Sequence, residues 1–335
     1  PEHPVTLDVT EVIPAGSVPT YPITEGKAAR IMTGAPVPEG ADAIIMHERT
    51  SFTENTVTLT APVTSANIIP PGEDVAAGTL LVPKGKILTA SDLALIAGQG
   101  IAEIGVYKKL SIGLISTGSE LLNTGSPLEY GKIYNTNPYL LGGYIQKHHM
   151  TANYLNTVRD DLDSLCRAVL DALKTNDIVI TTGGVSAGDF DYMPEVIRRI
   201  GGDLLFHRLK FKPGGAMLGA FKDGKVILGL SGNPGAAATG LLCVGFPFMR
   251  KLSGRSDITF SQTTAYLGVD FKKSSPVTRI LKGHSDFKNG MLYFTPLSNQ
   301  HNGSVSSMSD CDLLAVIPAG SKPLAAGDKL EVYIL

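Results

Sequence analysis

The sequence predicts a multidomain α/β protein: a central doubly wound, mostly parallel sheet, flanked by a β-rich N-terminal domain and a small C-terminal β-barrel. Three features point to it. Short β-rich runs and turn clusters fill residues 1–68. Strands alternate with helices over 109–255, and short strands separated by turns return over 256–335. Alternation at this spacing implies βαβ units, with helices covering both faces of one sheet. Residues 69–108 form a linker carrying one helix.

Taken in order, Val5–Ile13, 43–47 and 56–60 read as strands, and Pro36-Val37-Pro38-Glu39-Gly40 as a turn. Pro70-Pro71-Gly72-Glu73-Asp74 is another turn. Residues 89–99 read as a helix with Leu93, Leu95 and Ile96 on its apolar side. The β-branched run Ser111–Ser116 is a strand, 138–148 a helix and 153–158 a strand. A helix opens at Asp160 or Asp161, with Leu162, Leu165, Val169 and Leu173 along one face. Strand 177–182, helix 192–200, and strands 203–211 and Lys225–Leu230 follow. Asn233-Pro234 then starts a helix to about residue 249, with Asn as N-cap and Pro in the first turn. The last region has strands at 263–269, Met291–Pro296, Leu313–Ile317 and 329–335. That pattern suits a small barrel or sandwich, and the barrel is the form expected.

Composition narrows the function. The 335 residues carry 29 Lys+Arg and 31 Asp+Glu, a formal net charge of −2, without the basic excess of a duplex-binding protein. Nucleic acid is therefore not an expected partner. No apolar run reaches the ~18–20 residues of a membrane helix, so no membrane partner is expected either. Cys166, Cys243 and Cys311 form no CxxC pair, which favours a reducing, cytoplasmic setting. The start at Pro1-Glu2-His3 reads as that of a fragment or trimmed product.

Ligands of open parallel sheets bind beyond the carboxyl ends of the strands. Four loops should share that edge: Ser116-Thr117-Gly118-Ser119-Glu120, Arg159-Asp160-Asp161, the run from Thr181 through Gly183, Gly184 and Ser186 to Asp191, and Ser231-Gly232-Asn233-Pro234. Glycine-rich loops let main-chain amides approach a phosphate, and Thr182 and Ser186 add hydroxyls. The pattern is neither a dinucleotide fingerprint nor a P-loop. Glu120, Asp160 and Asp191 suit a Mg²⁺ ion bridging to phosphate oxygens, with Glu120 and Asp191 as metal ligands. Asp160 and Asp191 could instead be plain helix caps. Arg208, Lys210 and Lys212 fall at period-two spacing, on one face of a strand, and would meet an anionic substrate.

The ordered motifs Arg30-Ile31-Met32-Thr33-Gly34-Ala35-Pro36-Val37-Pro38-Glu39-Gly40-Ala41-Asp42, Gly72-Glu73-Asp74, Ser116 to Glu120, Thr182 to Gly188 with Asp191, Lys212-Pro213-Gly214 and Gly232-Asn233-Pro234 resemble the MoeA family of molybdopterin molybdenumtransferases, to which the E domain of gephyrin also belongs. The central segment alone is also similar to Mog-type adenylyltransferases and CinA proteins. The resemblance implies that adenylylated molybdopterin and molybdate become molybdenum cofactor, with release of AMP and help from Mg²⁺ or another divalent metal. It implies a homodimer, residues 69–108 belonging to the dimerisation domain, and a Mog-type adenylyltransferase as partner. By motif position, it makes Asp74, Glu120, Asp160 and Asp191 the catalytic carboxylates. Thr33, Thr117, Gly118, Gly183, Gly184, Ser186, Arg208, Lys212, Gly232, Asn233, Lys282 and Ser304 become the substrate-binding set.

The departures from the family pattern concentrate on the oxyanion half of the site. Gly215 and Ala216 replace the second Lys and Pro of Lys-Pro-Gly-Lys-Pro, Arg208 replaces a lysine, and Lys282 stands for an arginine. Asn135 and Ser231 also differ, and an Ala-Met-Asp-Gly-Tyr-Ala segment is expected upstream of Pro1. A relative that binds pterin nucleotide or cofactor as a carrier or scaffold, without efficient metal insertion, is the alternative function.

Overall fold

A computed structural model describes residues 4–185 and 191–335. The chain divides into two compact units, Pro1–Leu81 and Val82–Leu335.

The first unit is a four-stranded sheet of β1 (Val5–Ile13), β2 (Lys27–Ile31), β3 (Thr50–Phe52) and β4 (Thr56–Leu59), in the order β2-β1-β4-β3. β1 runs parallel to β2 and antiparallel to β4. The expected strand at 43–47 is not formed. Ile44 makes one isolated bridge to Thr64, and His47–Arg49 winds into a 3₁₀ turn, so main-chain pairing stops after a single residue.

The second unit opens with α1 (Ala90–Gly98), started by a reciprocal capping box between Thr89 and Asp92. Asp92 is the residue this helix buries, and Lys86 contacts its carboxylate at 2.6 Å. The expected apolar side is not a core face: Leu93 is 53% exposed, and Leu95 and Ile96 are half-buried.

The α/β region follows as β5 (Ser111–Ser116), β6 (Leu121–Leu122), β7 (Ile133–Tyr134), α2 (Asn137–Lys147), β8 (Thr151–Tyr154), α3 (Leu162–Thr175), β9 (Ile178–Thr182), α4 (Met193–Arg199), β10 (Asp203–His207), β11 (Phe211–Lys212), β12 (Leu218–Lys222) and β13 (Lys225–Leu230). A helix follows in two parts, α5 (Pro234–Gly240) and α6 (Phe246–Leu252), joined by a π-turn at Leu241–Gly245. The sheet order is β10-β12-β13-β9-β5-β8. β13, β9, β5 and β8 are parallel, whereas β10 and β12 are antiparallel additions at one edge. β12 and β13 form a hairpin whose turn holds Asp223 and Gly224 at positive φ.

Strand residues alternate between two cores. Ile178, Ile180 and Leu228 pack with α2, α5 and α6, while Val179, Ile227 and Ala220 pack with α3 and α4. Completely burying one such side chain stabilises by about 1.5–3 kcal/mol. The sheet is therefore doubly wound, as expected. Among the described residues, no helix is long and apolar enough to cross a membrane.

The C-terminal strands β14 (Gln262–Leu267), β15 (Thr278–Lys288), β16 (Met291–Pro296), β17 (Leu313–Ile317) and β18 (Lys329–Ile334) close into a five-stranded barrel. The circuit β15-β16-β14-β18-β17 returns to β15. Leu267, Leu281, Phe294, Ala315 and Val332 fill its interior. Ile280 and Leu314, of opposite parity, instead join the core beneath α5 and α6.

Candidate active site

The four parallel strands place their carboxyl ends on one edge, and the loops beyond them touch. Thr117 N donates to Thr182 O at 2.9 Å, Gly183 N to Leu230 O at 3.0 Å and Gly118 N to Val158 O at 3.3 Å. Gly183 has φ +101, and a Cβ there would stand 2.6 Å from Thr117 O, so glycine lets these loops close together. A Cβ on Gly232 would lie 3.6 Å from Gly183 Cα, which brings the loop after β13 to the same place. The convergence expected from the sequence is present. The cradle of free amides is not formed by Thr117, Gly118 and Gly183, whose N–H groups already bond neighbouring carbonyls. Ser186 lies outside the described residues, and Gly184 accepts from Met193 N at 3.2 Å.

The carboxylates separate into distinct roles. Asp160 accepts a short hydrogen bond from Thr117 Oγ1 and a 3.4 Å bond from Ser119 N, tying the loop after β8 to the loop after β5. It is not the helix cap. Asp161 caps α3, accepting from Ser164 N at 2.8 Å, and that bond holds its carboxyl below the usual range. Glu120 is exposed, with Oε2 only 2.7 Å from where a Cβ on Gly118 would sit, so its carboxylate folds back over that glycine.

Asp191 is not a cap either, because the N-cap position of α4 belongs to Tyr192. Its side chain is 14% exposed, with Oδ2 lying 3.5 Å from His207 Nε2 and 3.8 Å from the Arg208 guanidinium. Oδ1 is buried and has no hydrogen-bond partner among the described residues. Burial pushes the Asp191 carboxyl above its ordinary range, against the pull of His207 and Arg208. Thr33 and Asp74 belong to the first unit, where both are exposed in turns.

A buried relay crosses the strand ends behind these groups. Thr182 Oγ1 contacts Ser116 Oγ at 3.2 Å, Ser116 Oγ contacts Asn135 Oδ1 at 3.2 Å, and Asn135 Nδ2 donates to Thr157 at 3.2 Å. Alongside lies a cavity of about 620 Å³, walled by Gly118, Ser119, Leu121, Leu122, Asn123, Ser126, Lys132, Thr157, Val158 and Arg159. Lys132 Nζ reaches Ser119 O at 2.6 Å. Asn137 donates to Gly232 O at 2.8 Å, fixing the Gly232-Asn233 loop.

The expected cationic strand face is corrected. β10 ends at His207, and Arg208 takes a left-handed φ of 66°. Leu209 N then bonds Gly215 O at 2.8 Å, closing a tight loop. Arg208, Lys210 and Lys212 therefore share no strand face, and Lys212 sits exposed on β11, paired with β15 of the barrel. A Cβ on Gly215 would fall 2.1 Å from Phe211 O and 2.4 Å from Leu209 O, leaving no room for any side chain there.

Lys282 has no exposed surface. Its ammonium donates to Ser307 Oγ at 2.6 Å and His301 O at 3.4 Å, and burial pushes its pKa down. It faces protein, not an open anion site. Ser304 accepts from Asn299 Nδ2 at 2.8 Å. Asn233 precedes α5 without a side-chain cap, and Gly235 N donates to Asn302 O at 2.8 Å, so the chain itself covers that helix start.

His207, Lys132 and Asn137 were not among the expected site residues, and Arg159 was expected only as part of the Arg159-Asp160-Asp161 loop. Of the first three, only Asn137 carried a local signal, as a polar residue immediately before the Pro138 of a helix's first turn. Among the described residues, no trio of His, Cys, Asp or Glu side chains is placed to hold a metal ion.

Three family descriptions match successive parts of the chain. They are "MoeA N-terminal region (domain I and II)" over residues 2–100, "Probable molybdopterin binding domain" over 113–251 and "MoeA C-terminal region (domain IV)" over 264–335. The molybdopterin molybdenumtransferase of Staphylococcus aureus (strain N315) is 35% identical over 334 residues, covering 99% of this chain and 80% of the relative. That of Bacillus subtilis (strain 168) is 35% identical over 339 residues, covering 100% of this chain and 79% of the relative. Among solved structures, the molybdopterin biosynthesis MoeA protein from Pyrococcus horikoshii OT3 superposes with a TM-score of 0.81 at 27% identity, covering 100% of this chain and 82% of that one. Another Pyrococcus MoeA structure gives 0.86 at 28% identity, covering 99% and 81%.

Proposed function

The chain belongs to the MoeA family of molybdopterin molybdenumtransferases, and from that premise we propose that it cleaves adenylylated molybdopterin, inserts molybdate and releases AMP. The observation that carries this reading is the meeting of Thr117, Gly183 and Gly232 at the ends of adjacent parallel strands, with Asp160 bonded to Thr117. Cleaving a phosphoanhydride requires positioning of the phosphates and neutralisation of the departing charge.

The residues fit a divalent cation shared with substrate. Mg²⁺ is commonly held by one or two carboxylates plus phosphate oxygens, so no trio of protein ligands is needed. Asp191 offers an Oδ1 that has no hydrogen-bond partner among the described residues, and Glu120 an exposed carboxylate. A cation bound there would supply neutralisation of charge on the leaving phosphate. Asp160 orients Thr117 and the Ser119 amide. Lys132 and Arg159 give the adjoining cavity a cationic wall suited to a phosphorylated heterocycle, and Asn137 holds the Gly232 carbonyl.

A second reading is favoured by the oxyanion half: a protein that binds pterin nucleotide or cofactor without efficient metal insertion. No side chain fits at Gly215, and the Lys282 ammonium is turned into protein. The test is incubation of the full chain with adenylylated molybdopterin, Mg²⁺ and molybdate. Release of AMP above background supports the transferase reading. Tight binding without AMP release supports the carrier.

The proposal extends to a cytoplasmic homodimer that receives substrate from a Mog-type adenylyltransferase, with Thr33, Asp74, Lys212 and Ser304 as further site residues. It also keeps the four-part division at residues 68, 108 and 255. Sedimentation of the full chain tests the dimer.

A further inference from the structure

Two consecutive side chains at the end of β10 reach one oxygen of Asp191. His207 Nε2 lies 3.5 Å and the Arg208 guanidinium 3.8 Å from Oδ2. Neighbouring side chains on a regular strand point to opposite faces, so both could not meet one carboxylate if β10 simply continued. The left-handed φ of 66° at Arg208 is what lets both converge. That conformation is uncommon for a residue with a side chain.

The arrangement is costly in other ways. Among the described residues, buried Asp191 Oδ1 has no hydrogen-bond partner, and the buried His207 Nε2 has only its long 3.5 Å approach to Oδ2. A buried carboxylate oxygen left open and a left-handed arginine at one spot both oppose stability, and the contacts to Oδ2 are long. Apolar side chains of similar size would relieve the first of these costs.

We propose that His207 is a positioning residue for Asp191. With Arg208 it restrains Oδ2, fixing the carboxylate rotamer and keeping Oδ1 uncommitted for the phosphate-bearing ligand. The inference rests on the reading of Asp191 as a working carboxylate. It assigns to His207 an orienting role and no contact with the ligand.

The test compares wild type with His207→Leu, which keeps bulk and removes the ring nitrogens, and His207→Gln, whose amide restores a nitrogen near Nε2. His207→Leu leaves the buried Asp191 Oδ2 with Arg208 alone, so melting temperatures are measured beside the kinetics to show that each variant is folded at the assay temperature. Its kcat for AMP release should fall about ten- to a hundredfold, the scale expected when a reacting group is misplaced by about 1 Å, with KM changed far less. His207→Gln should recover most of that loss. Unchanged kcat in folded His207→Leu, or equal kcat in the two variants, overturns the proposal.

If wild type itself releases no AMP, the transferase reading fails, and the inference about His207 is then decided by binding. Calorimetry with AMP and Mn²⁺ as probes should show weakened Mn²⁺-dependent AMP binding in His207→Leu and near-wild-type binding in His207→Gln. Equal affinities in all three proteins would sink it.

Discussion

The Lys282 ammonium donates a 2.6 Å hydrogen bond to the Ser307 hydroxyl in a place from which solvent is excluded, directly beside Gly235. The other acceptor in reach is the His301 carbonyl, so the buried charge meets no carboxylate among the described residues. Charge buried this way is a net cost, which is why desolvation lowers the folded pKa.

The sign of the resulting pH effect follows. Between that lowered value and the unfolded value of about 10.4, the unfolded chain binds the extra proton, so stability rises with pH. Wild type should gain stability relative to Lys282→Met as pH rises towards 10, in urea denaturation at pH 7 and pH 10. Parallel curves for the two proteins would mean that the ammonium is hydrated.

Asp191→Asn should abolish AMP release while leaving the fold intact. Because burial raises the folded pKa, the folded state holds the proton more tightly, and stability is lost as pH rises from the unfolded value through the folded one. At pH 7 the ionised carboxylate is therefore a burden, and the Asn variant should melt no lower than wild type. Calorimetric melting beside the AMP assay checks both halves. A lower melting point with activity retained would return Asp191 to a structural role.

Restoring the family's lysine at position 215 should fail. The new Cβ would collide with the carbonyl oxygens of Phe211 and Leu209, which belong to the main chain and cannot swing aside. Gly215→Lys should destabilise by about 1–3 kcal/mol or more, by analogy with overpacking, and Gly215→Ala should share most of that loss. Denaturation midpoints of the two variants give the answer. A stable Gly215→Lys protein would show that the 209–215 loop opens readily.

His148 gives the molecule a weakness to acid. It packs edge-on against Phe246 and Phe260, and its Nδ1 lies 3.3 Å from the buried Arg250 guanidinium. Desolvation, helped by Arg250, pushes its pKa down to about 4. Between about 6.5 and 4 the unfolded chain binds a proton that the folded chain refuses, so stability falls as pH drops through that window. The loss should be on the order of 1–3 kcal/mol. His148→Asn, whose carbonyl oxygen can keep the Arg250 contact, should flatten the difference between denaturation curves at pH 7 and pH 5.

Much of the architecture was legible because long-range order followed local pattern. The apolar runs at Ser111–Ser116 and Lys225–Leu230 and the face formed by Leu165, Val169 and Leu173 lie where their periodicity put them. The meeting of the four loops followed from parallel strands alone. Misreadings came where one backbone torsion or one hydrogen bond overrode the pattern. His207-Arg208-Leu209-Lys210-Phe211-Lys212 alternates as a strand should, and nothing in its composition marks the left-handed turn at Arg208. Asp160 and Asp161 were equally good caps until Ser164 N bonded Asp161 and released Asp160 to Thr117. His207 had no local signal at all, since its partner comes from a different strand–helix connection.

β11 extends this account to the barrel. Although its residues lie between two strands of the α/β sheet, Phe211 and Lys212 pair in parallel with Thr278 and Arg279. Lys212 is thus stitched into the hem of the neighbouring domain. Its ammonium rides with the barrel's seating, and any tilt that unseats Thr278 or Arg279 carries this positive charge along, away from the glycine turns it was assumed to serve.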